Sequence, residues 1–275
     1  MAYGGGRGGW GIRIPGWTGR SSGSDNVFAF HHLLSTYSPK TPVADDDFDI
    51  SSLAAHLHML PAQISKLADR GKIPARRISG QWTFSRAEIH HWLEDRIGLS
   101  NADELAEMET NLERTDTSEL GEVSIAALLP VDTIAIPLAA RTRSRVISSM
   151  SELAATTGML WDPGKMAEAV AAREAMHPTA LDIGVALLHP RRPQTSILGE
   201  AVVALGITGQ GIPFGGASGL TDVFFLLAAT CDHEHLRLLA RISHIISDAE
   251  WLAELRAAGD AHAAHELIAA RDASL

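Results

Sequence analysis

Apolar and polar positions divide the chain into two folded segments. In residues 121–275, short apolar runs alternate with stretches where apolar residues recur every three or four positions. The first pattern is typical of buried strands and the second of amphipathic helices. Strands are predicted near 133–138, 183–188, 201–207 and 222–229, and helices near 144–156, 162–174, 233–247, 249–257 and 261–271. This alternation predicts an α/β fold in which helices sandwich a sheet.

Residues 48–98 follow a different pattern. Ser51 is predicted to cap a first helix, and Pro61 is predicted to open a second one. Residues 76–84 indicate two short strands around a tight turn, and Ser85 is predicted to cap a third helix. Two helices, a hairpin and a further helix predict a small winged helix-turn-helix unit.

The remaining segments predict a tail and a linker. Residues 1–47 are rich in Gly and Ser and predict a flexible tail. Residues 99–120 carry seven acidic residues against one basic residue, and they predict an acidic linker. The predicted order is therefore a tail, a winged helix-turn-helix domain over 48–98, a linker, and an α/β domain over 121–275.

Composition narrows the classes of function. The 275-residue chain is 45% hydrophobic, which supports two ordinary cores, and no apolar run approaches the roughly 18 residues of a membrane span. Its first residues lack the pattern of a secretion signal, and its single cysteine, Cys231, fits a reducing cytoplasm. A net charge of -10 argues against a chain that coats nucleic acid over its whole surface. We expect a cytoplasmic protein with, at most, a local basic face.

Candidate chemistry lies at His189, where the apolar run 181–188 ends. A phosphorylated imidazole carries about two negative charges and needs fixed donors around it. Arg173 ends the preceding predicted helix and His235 lies in the first turn of a later one, so both are suitable donors. Ligands of open α/β sheets bind at strand ends. The alternative is a structural histidine, since the chain has 13.

The spacing of these residues resembles the enzyme IIA domain of the fructose, mannitol and nitrogen-regulatory class of the bacterial phosphotransferase system. The match covers about 121–272, and its motifs are Arg173-Glu174-Ala175-Met176-His177-Pro178-Thr179 and Gly184-Val185-Ala186-Leu187-Leu188-His189. The resemblance implies a mixed β-sheet flanked by helices. It also implies that His189 accepts the phosphoryl group, with His235 and Arg173 in the active site and Thr179 in support. A phosphohistidine carrier of the HPr type would be the donor.

Two positions depart from that family's pattern. The family commonly has Pro-His-Gly around the acceptor, whereas this chain has Leu188-His189-Pro190, and proline removes a backbone N–H donor. Asp182 precedes the strand and would repel a phosphoryl group if it faced one. We expect Arg191 and Arg192 to compensate by attracting anions. The alternative function is a non-catalytic sensor or scaffold that binds DNA or a partner protein without phosphorylation.

The segment 48–98 resembles the excisionase/MerR-like DNA-binding family. The matching stretches are Ala54-Ala55-His56-Leu57-His58, Arg70-Gly71-Lys72-Ile73-Pro74-Ala75, Gly80-Gln81-Trp82-Thr83-Phe84 and the helix from Arg86 to Leu93. The resemblance implies that Gln63, Ser65 and Lys66 face the major groove and that Arg76 and Arg77 contact phosphates in the wing. Arg70 and Lys72 belong to the same basic stretch, which leaves the second helix where phosphates would lie. The alternative is a protein-binding module or a folded remnant.

No cofactor or metal is expected. Cys231, His233 and His235 have a spacing that suggests a metal, but a fourth spaced ligand is missing and a helix start would splay the side chains. Together the two resemblances predict a cytoplasmic bacterial regulator, in which a phosphoryl-accepting domain controls a DNA-binding module. A transport role, with transfer to a IIB-type protein of a membrane permease, is less favoured because the chain carries a DNA-binding segment and no IIB sequence.

Overall fold

Most of both predicted folded segments lies within the part of the chain that the structure describes. This computed structural model describes residues 47–57, 59–99, 105, 106, 110, 124–215 and 219–275. The predicted tail, apart from Asp47, and most of the predicted linker lie outside these residues. Asp47 belongs to a strand rather than to the tail, because it pairs with Ser85.

The first segment has the predicted helices and hairpin in the predicted order, and a short strand that was not predicted precedes them. Its elements are α1 (Ile50–His56), α2 (Pro61–Asp69) and α3 (Arg86–Leu99), with β1 (Asp47–Phe48), β2 (Arg76–Ile78) and β3 (Gln81–Ser85). The strands form an antiparallel sheet in the order β1-β3-β2. Ser79 and Gly80 both have positive φ, as a tight hairpin turn requires.

The start of α1 differs from the prediction. Asp49, not Ser51, is the N-cap, because its carboxylate accepts a hydrogen bond of 2.7 Å from the Ser52 amide. The Ser52 hydroxyl accepts in return from the Asp49 amide at 2.9 Å. This reciprocal pair satisfies two backbone donors at the start of the helix.

The second segment is the predicted α/β domain with a mixed sheet. Its helices are α4 (Ile125–Leu128), α5 (Arg143–Ala154), α6 (Pro163–Met176), α7 (Asp232–Ile245), α8 (Ala249–Arg256) and α9 (Ala261–Asp272). Its strands are β4 (Ile134–Ala135), β5 (Val185–Leu188), β6 (Val202–Pro213) and β7 (Leu220–Ala228). The sheet order is β4-β6-β7-β5, with β4 parallel to β6, β5 parallel to β7, and β6 antiparallel to β7.

Two strands differ in length from their predictions. The strand predicted at 133–138 is observed only as the two residues of β4, and a 3-10 turn occupies Val131–Thr133 directly before it. The strand predicted at 201–207 continues to Pro213, with an irregularity between Ile207 and Ile212. Among the described strands, β4 lies at the edge of the sheet and pairs with β6 alone, so its short length interrupts no other strand pairing.

Alternate residues of the sheet enter separate cores. Leu187 and Phe225 belong to the core that contains residues of α7, α8 and α9, whereas Leu188 and Phe224 belong to the core beside α5 and α6. A strand turns successive side chains to opposite faces, so a sheet covered on both faces has continuous apolar strands. This arrangement explains the unbroken apolar run before His189.

Helix α3 packs against both segments. Leu93 contacts the helix-turn-helix core and the sheet domain core, and Ile97 is buried in the latter. The third helix of the small unit is therefore held against α7 of the sheet domain. In the described part of the chain, no helix combines the length and apolar character needed to cross a bilayer.

Candidate functional site

The sheet topology brings His189 and His235 together. His189 follows directly after β5, and β7 leads through the Thr230–Cys231 turn into α7, whose first turn contains His235. Because β5 and β7 are parallel neighbours, their carboxyl ends meet at one edge of the sheet. The two imidazole rings lie 4.8 Å apart between centroids, and both are buried. The fold therefore places the two histidines singled out in the sequence next to each other.

A backbone carbonyl orients the His189 ring. His189 Nδ1 lies 2.8 Å from the carbonyl oxygen of Leu187, and a carbonyl can only accept a hydrogen bond. Nδ1 therefore carries the hydrogen, and in the neutral ring Nε2 carries the lone pair. A nucleophile or a metal ligand needs this arrangement.

Arg173 approaches the same point from the last turn of α6. Its Nη1 donates to the His177 carbonyl at 2.7 Å, which holds the guanidinium in place. Its Nη2 lies 3.3 Å from a carboxylate oxygen of Glu94, and both side chains are buried. All three predicted catalytic residues, Arg173, His189 and His235, therefore surround one location.

Glu94 of α3 occupies that location. Its Oε1 lies 3.2 Å from His90 Nε2, 3.5 Å from His189 Nε2 and 3.3 Å from His235 Nε2. Its Oε2 faces Arg173. A carboxylate from the helix-turn-helix segment thus lies inside the histidine and arginine cluster of the sheet domain, where it is only 4% exposed.

The protonation states follow from burial and from these contacts. Burial raises the pKa of Glu94, but contacts with His189, His235 and His90 outweigh it and hold the pKa below its usual range. Burial lowers the pKa of His235 to about 4, although the Glu94 carboxylate acts in the opposite direction. Near neutral pH, Glu94 is therefore ionised and His235 is neutral.

The same cluster offers a set of metal-binding atoms. The donor atoms of His90, Glu94 and His235 lie within 4.8 Å of one another. His90 and Glu94 are one helical turn apart on α3, so they share one face of that helix. Sequence reasoning missed both residues. Their spacing places them on one face of α3, but the sequence does not show that this face is buried against the sheet domain.

A cleft of about 380 Å³ leads from the solvent to the cluster. Its lining includes the exposed Arg191 and Arg192 together with Arg173 and Glu94. Arg191 and Arg192 thus lie at the exposed end of the cleft, and their role in attracting anions stays a prediction. Asp182 is exposed and precedes β5, at the opposite end of the strand from His189, so it does not oppose an anion there.

Thr179 has a different environment from the one predicted. Its hydroxyl and its amide both donate to the Glu174 carboxylate, which also contacts Arg143 at 2.9 Å. The hydroxyl is thereby committed to Glu174, and Thr179 supports the fold behind the site rather than an anion within it.

The predicted DNA-contacting residues lie on the surface of the small unit. Gln63, Lys66, Arg70, Lys72, Arg76 and Arg77 are exposed and Ser65 is half-buried. Arg76 contacts Glu88 at 3.3 Å, and Arg77 contacts Asp69 at 3.5 Å while it stacks on Trp82. Gln63 accepts a hydrogen bond from the Leu60 amide at 2.9 Å. Each acidic partner offsets part of the positive charge.

Two family models match the chain. The family model described as "Phosphoenolpyruvate-dependent sugar phosphotransferase system, EIIA 2" matches residues 127–271. The model described as "Helix-turn-helix domain" matches residues 48–97. Both resemblances inferred from the sequence are confirmed. Among curated proteins, none matches the chain.

Solved structures similar to the chain include three IIA proteins. Nitrogen regulatory protein IIA-Ntr from Neisseria meningitidis is 20% identical, with 52% of this chain and 98% of that chain covered and a TM-score of 0.48. IIA mannitol from Escherichia coli is 20% identical, with 50% and 96% covered and a TM-score of 0.45. The Escherichia coli complex of enzyme IIAMTL and phosphorylated enzyme IIBMTL contains a chain that is 19% identical, with 50% and 95% covered and a TM-score of 0.46.

Proposed function

Because the chain belongs to the EIIA 2 family of the phosphoenolpyruvate-dependent sugar phosphotransferase system, we propose that it accepts a phosphoryl group on His189 and binds DNA through its helix-turn-helix domain. The donor is a phosphohistidine carrier protein of the HPr type. One observation supports this most: His189 Nε2 faces the same carboxylate as Arg173 and His235, while its Nδ1 is held by a carbonyl. The negatively charged Glu94 carboxylate already occupies this point, so these side chains are arranged to hold an anion.

The chemistry follows from that arrangement. The Nε2 lone pair of His189 attacks the phosphorus, a new N–P bond forms, and the N–P bond to the donor's histidine breaks. Such a transfer needs positioning and stabilisation of charge on the three phosphoryl oxygens more than any other assistance. Arg173, a neutral His235 and the N-terminal end of α7 supply positive charge and N–H donors.

Phosphorylation and the position of Glu94 exclude each other. A phosphorus bonded to Nε2 would extend into the space that Glu94 Oε1 fills at 3.5 Å. Two like charges about 4 Å apart repel by roughly 4 kcal/mol at the effective dielectric of a protein surface, and the phosphoryl group carries nearly two. Helix α3 must therefore move away before or during transfer.

This exclusion connects the two domains. Glu94 lies on the third helix of the DNA-binding unit, so phosphorylation would free that helix from the sheet domain. We infer a cytoplasmic bacterial regulator, in which the phosphorylation state of His189 controls how the DNA-binding unit is held. A IIB-type protein is the candidate onward acceptor, and nitrogen regulation is one pathway in which such a device would serve.

The test of phosphorylation is direct. Incubation with radiolabelled phosphoenolpyruvate, enzyme I and HPr should label the wild type and should not label His189→Ala. Equal labelling of the two would overturn the assignment. A His262→Ala variant, altered at a histidine of α9 far along the chain from the cluster, should label like the wild type and controls for histidine loss in general.

A non-catalytic sensor is the second candidate, and Pro190 favours it. Proline next to His189 offers no backbone N–H to a phosphoryl group. A wild type that takes no label, together with a Pro190→Gly variant that does, would establish this alternative. DNA binding would then be the remaining activity, and its expected signature is an affinity that falls steeply with salt.

A further inference from the structure

We propose that His90, Glu94, His189 and His235 bind a divalent ion of the zinc class, which fastens α3 to the sheet domain. The proposal goes beyond the proposed function because binding of the ion requires no phosphocarrier. The ligands come from three elements of the described chain: α3, the end of β5 and the first turn of α7. The ion would thus bridge the DNA-binding unit and the phosphotransferase domain.

The three distances from Glu94 Oε1 to the histidine nitrogens are compatible with tetrahedral coordination. Zinc binds histidine nitrogen and carboxylate oxygen at about 2.0–2.2 Å, and the edges of such a tetrahedron measure about 3.3–3.6 Å. Glu94 Oε1 lies 3.2, 3.3 and 3.5 Å from the Nε2 atoms of His90, His235 and His189. Three ligand edges therefore already have nearly the length that a bound zinc ion would impose.

Three buried polar atoms of the cluster lack a hydrogen-bond partner among the described residues. His189 donates its Nδ1 hydrogen to Leu187, so a neutral ring directs its Nε2 lone pair at a carboxylate oxygen. Within the described residues, Glu94 Oε1, His189 Nε2 and His235 Nε2 make no hydrogen bond of good geometry, although each is buried. Buried polar atoms without partners are costly, and a metal ion would satisfy all three at once.

The ligand types select the class of ion. Three imidazoles and one carboxylate suit zinc and its first-row neighbours, whereas magnesium and calcium prefer oxygen ligands. Four protein ligands leave no open position, which is typical of structural zinc sites rather than catalytic ones.

Surrounding contacts hold the ligands in place. The Leu187 carbonyl fixes the His189 ring, and Arg173 together with His91 contacts the second oxygen of Glu94. Such partners orient metal ligands in known sites. The spacing of Cys231, His233 and His235 suggests a metal, but among these three only His235 belongs to the proposed ligand set. Cys231 instead caps the start of α7.

Zinc titration of the tag-free, chelator-treated full chain tests the site. We expect one zinc ion per chain by isothermal titration calorimetry, with magnesium giving no signal at the same concentration. Loss of an outer partner of a metal site typically costs 10–100-fold in affinity, so loss of a ligand in His90→Ala or Glu94→Gln should cost roughly 100-fold or more. His262→Ala, on α9, should bind as the wild type does.

Folding and zinc binding are measured separately. Circular dichroism of Glu94→Gln, a substitution of nearly equal shape, checks that lost binding is not lost folding. Absence of stoichiometric zinc binding, or equal binding by His90→Ala and the wild type, would overturn the proposal. The zinc titration contains no phosphocarrier, so a chain that takes no phosphoryl group can still bind zinc in it. Equally, a chain that binds no zinc can still be labelled in the phosphorylation assay.

Discussion

Glu94→Gln should accelerate phosphorylation of His189. The substitution keeps the shape of the side chain and removes its negative charge, so it weakens the contacts of α3 with Arg173, His189 and His235 of the sheet domain. Glu94 and Arg173 are 4% and 5% exposed, so solvent screens their pair very little. Removing one partner of a buried pair costs about 3–5 kcal/mol.

That magnitude sets the size of the expected effect. At about 1.4 kcal/mol for each factor of ten, even 3 kcal/mol would raise the population with α3 released by roughly 100-fold. The labelling rate should rise in proportion, until release of α3 no longer limits it. The glutamine still fills part of the site, so we expect a measured acceleration of at least about tenfold.

The assay is the initial rate of transfer from phosphorylated HPr at limiting HPr. Magnesium is supplied for enzyme I, and zinc is removed with a selective chelator so that a change in metal binding cannot contribute. Glu88→Gln is the matched control, because Glu88 lies on the same helix, is half exposed and contacts only Arg76 among the ion pairs of the described residues. A Glu94→Gln protein that folds normally and labels at the wild-type rate or more slowly would refute the shielding role of the carboxylate.

Three further substitutions test other parts of the account. Arg173→Gln should reduce labelling by about 10²–10³-fold, the usual cost of losing one donor to transition-state charge, and a rate near that of the wild type would exclude the arginine from the chemistry. Gly206→Ala should lower the free energy of unfolding by about 1–3 kcal/mol in urea denaturation, because a Cβ there would lie 2.7 Å from Leu138 and from Met150; unchanged stability would mean that this core is loosely packed. Lys72→Gln, at an exposed residue of the phosphate-contacting set, should weaken DNA binding uniformly across sequences and reduce the salt slope by about one; an unchanged slope would place Lys72 away from the phosphates.

Much of the fold could be predicted from local patterns. The apolar runs of β5 and β7, the Asp162-Pro163 start of α6 and the Ser79–Gly80 turn carry their own signals in the sequence. The two-residue β4 carries no such signal, because a strand that short depends on pairing with β6. Asp49 and Ser51 are both suitable N-cap residues, so the sequence does not show which of them caps α1. In the structure it is Asp49.

The site could be predicted only where one domain supplies it. Arg173, His189 and His235 have a spacing that the fold of the sheet domain determines, and the structure brings them together. Glu94 joins them from another domain, and no spacing along the chain encodes how two domains dock. Its burial is visible only once α3 is packed against α7.

The central claim is that a phosphoryl group on His189 and Glu94 in its docked position exclude each other. Amide hydrogen exchange of the full chain, measured before and after phosphorylation by HPr, tests it most directly, because a helix released from a core loses protection. We predict faster exchange across α3 and at the face of α7 that it covers, in the phosphorylated wild type and not in His189→Ala treated alike. Unchanged protection of α3 in a chain shown to carry the phosphoryl group on His189 would contradict the account.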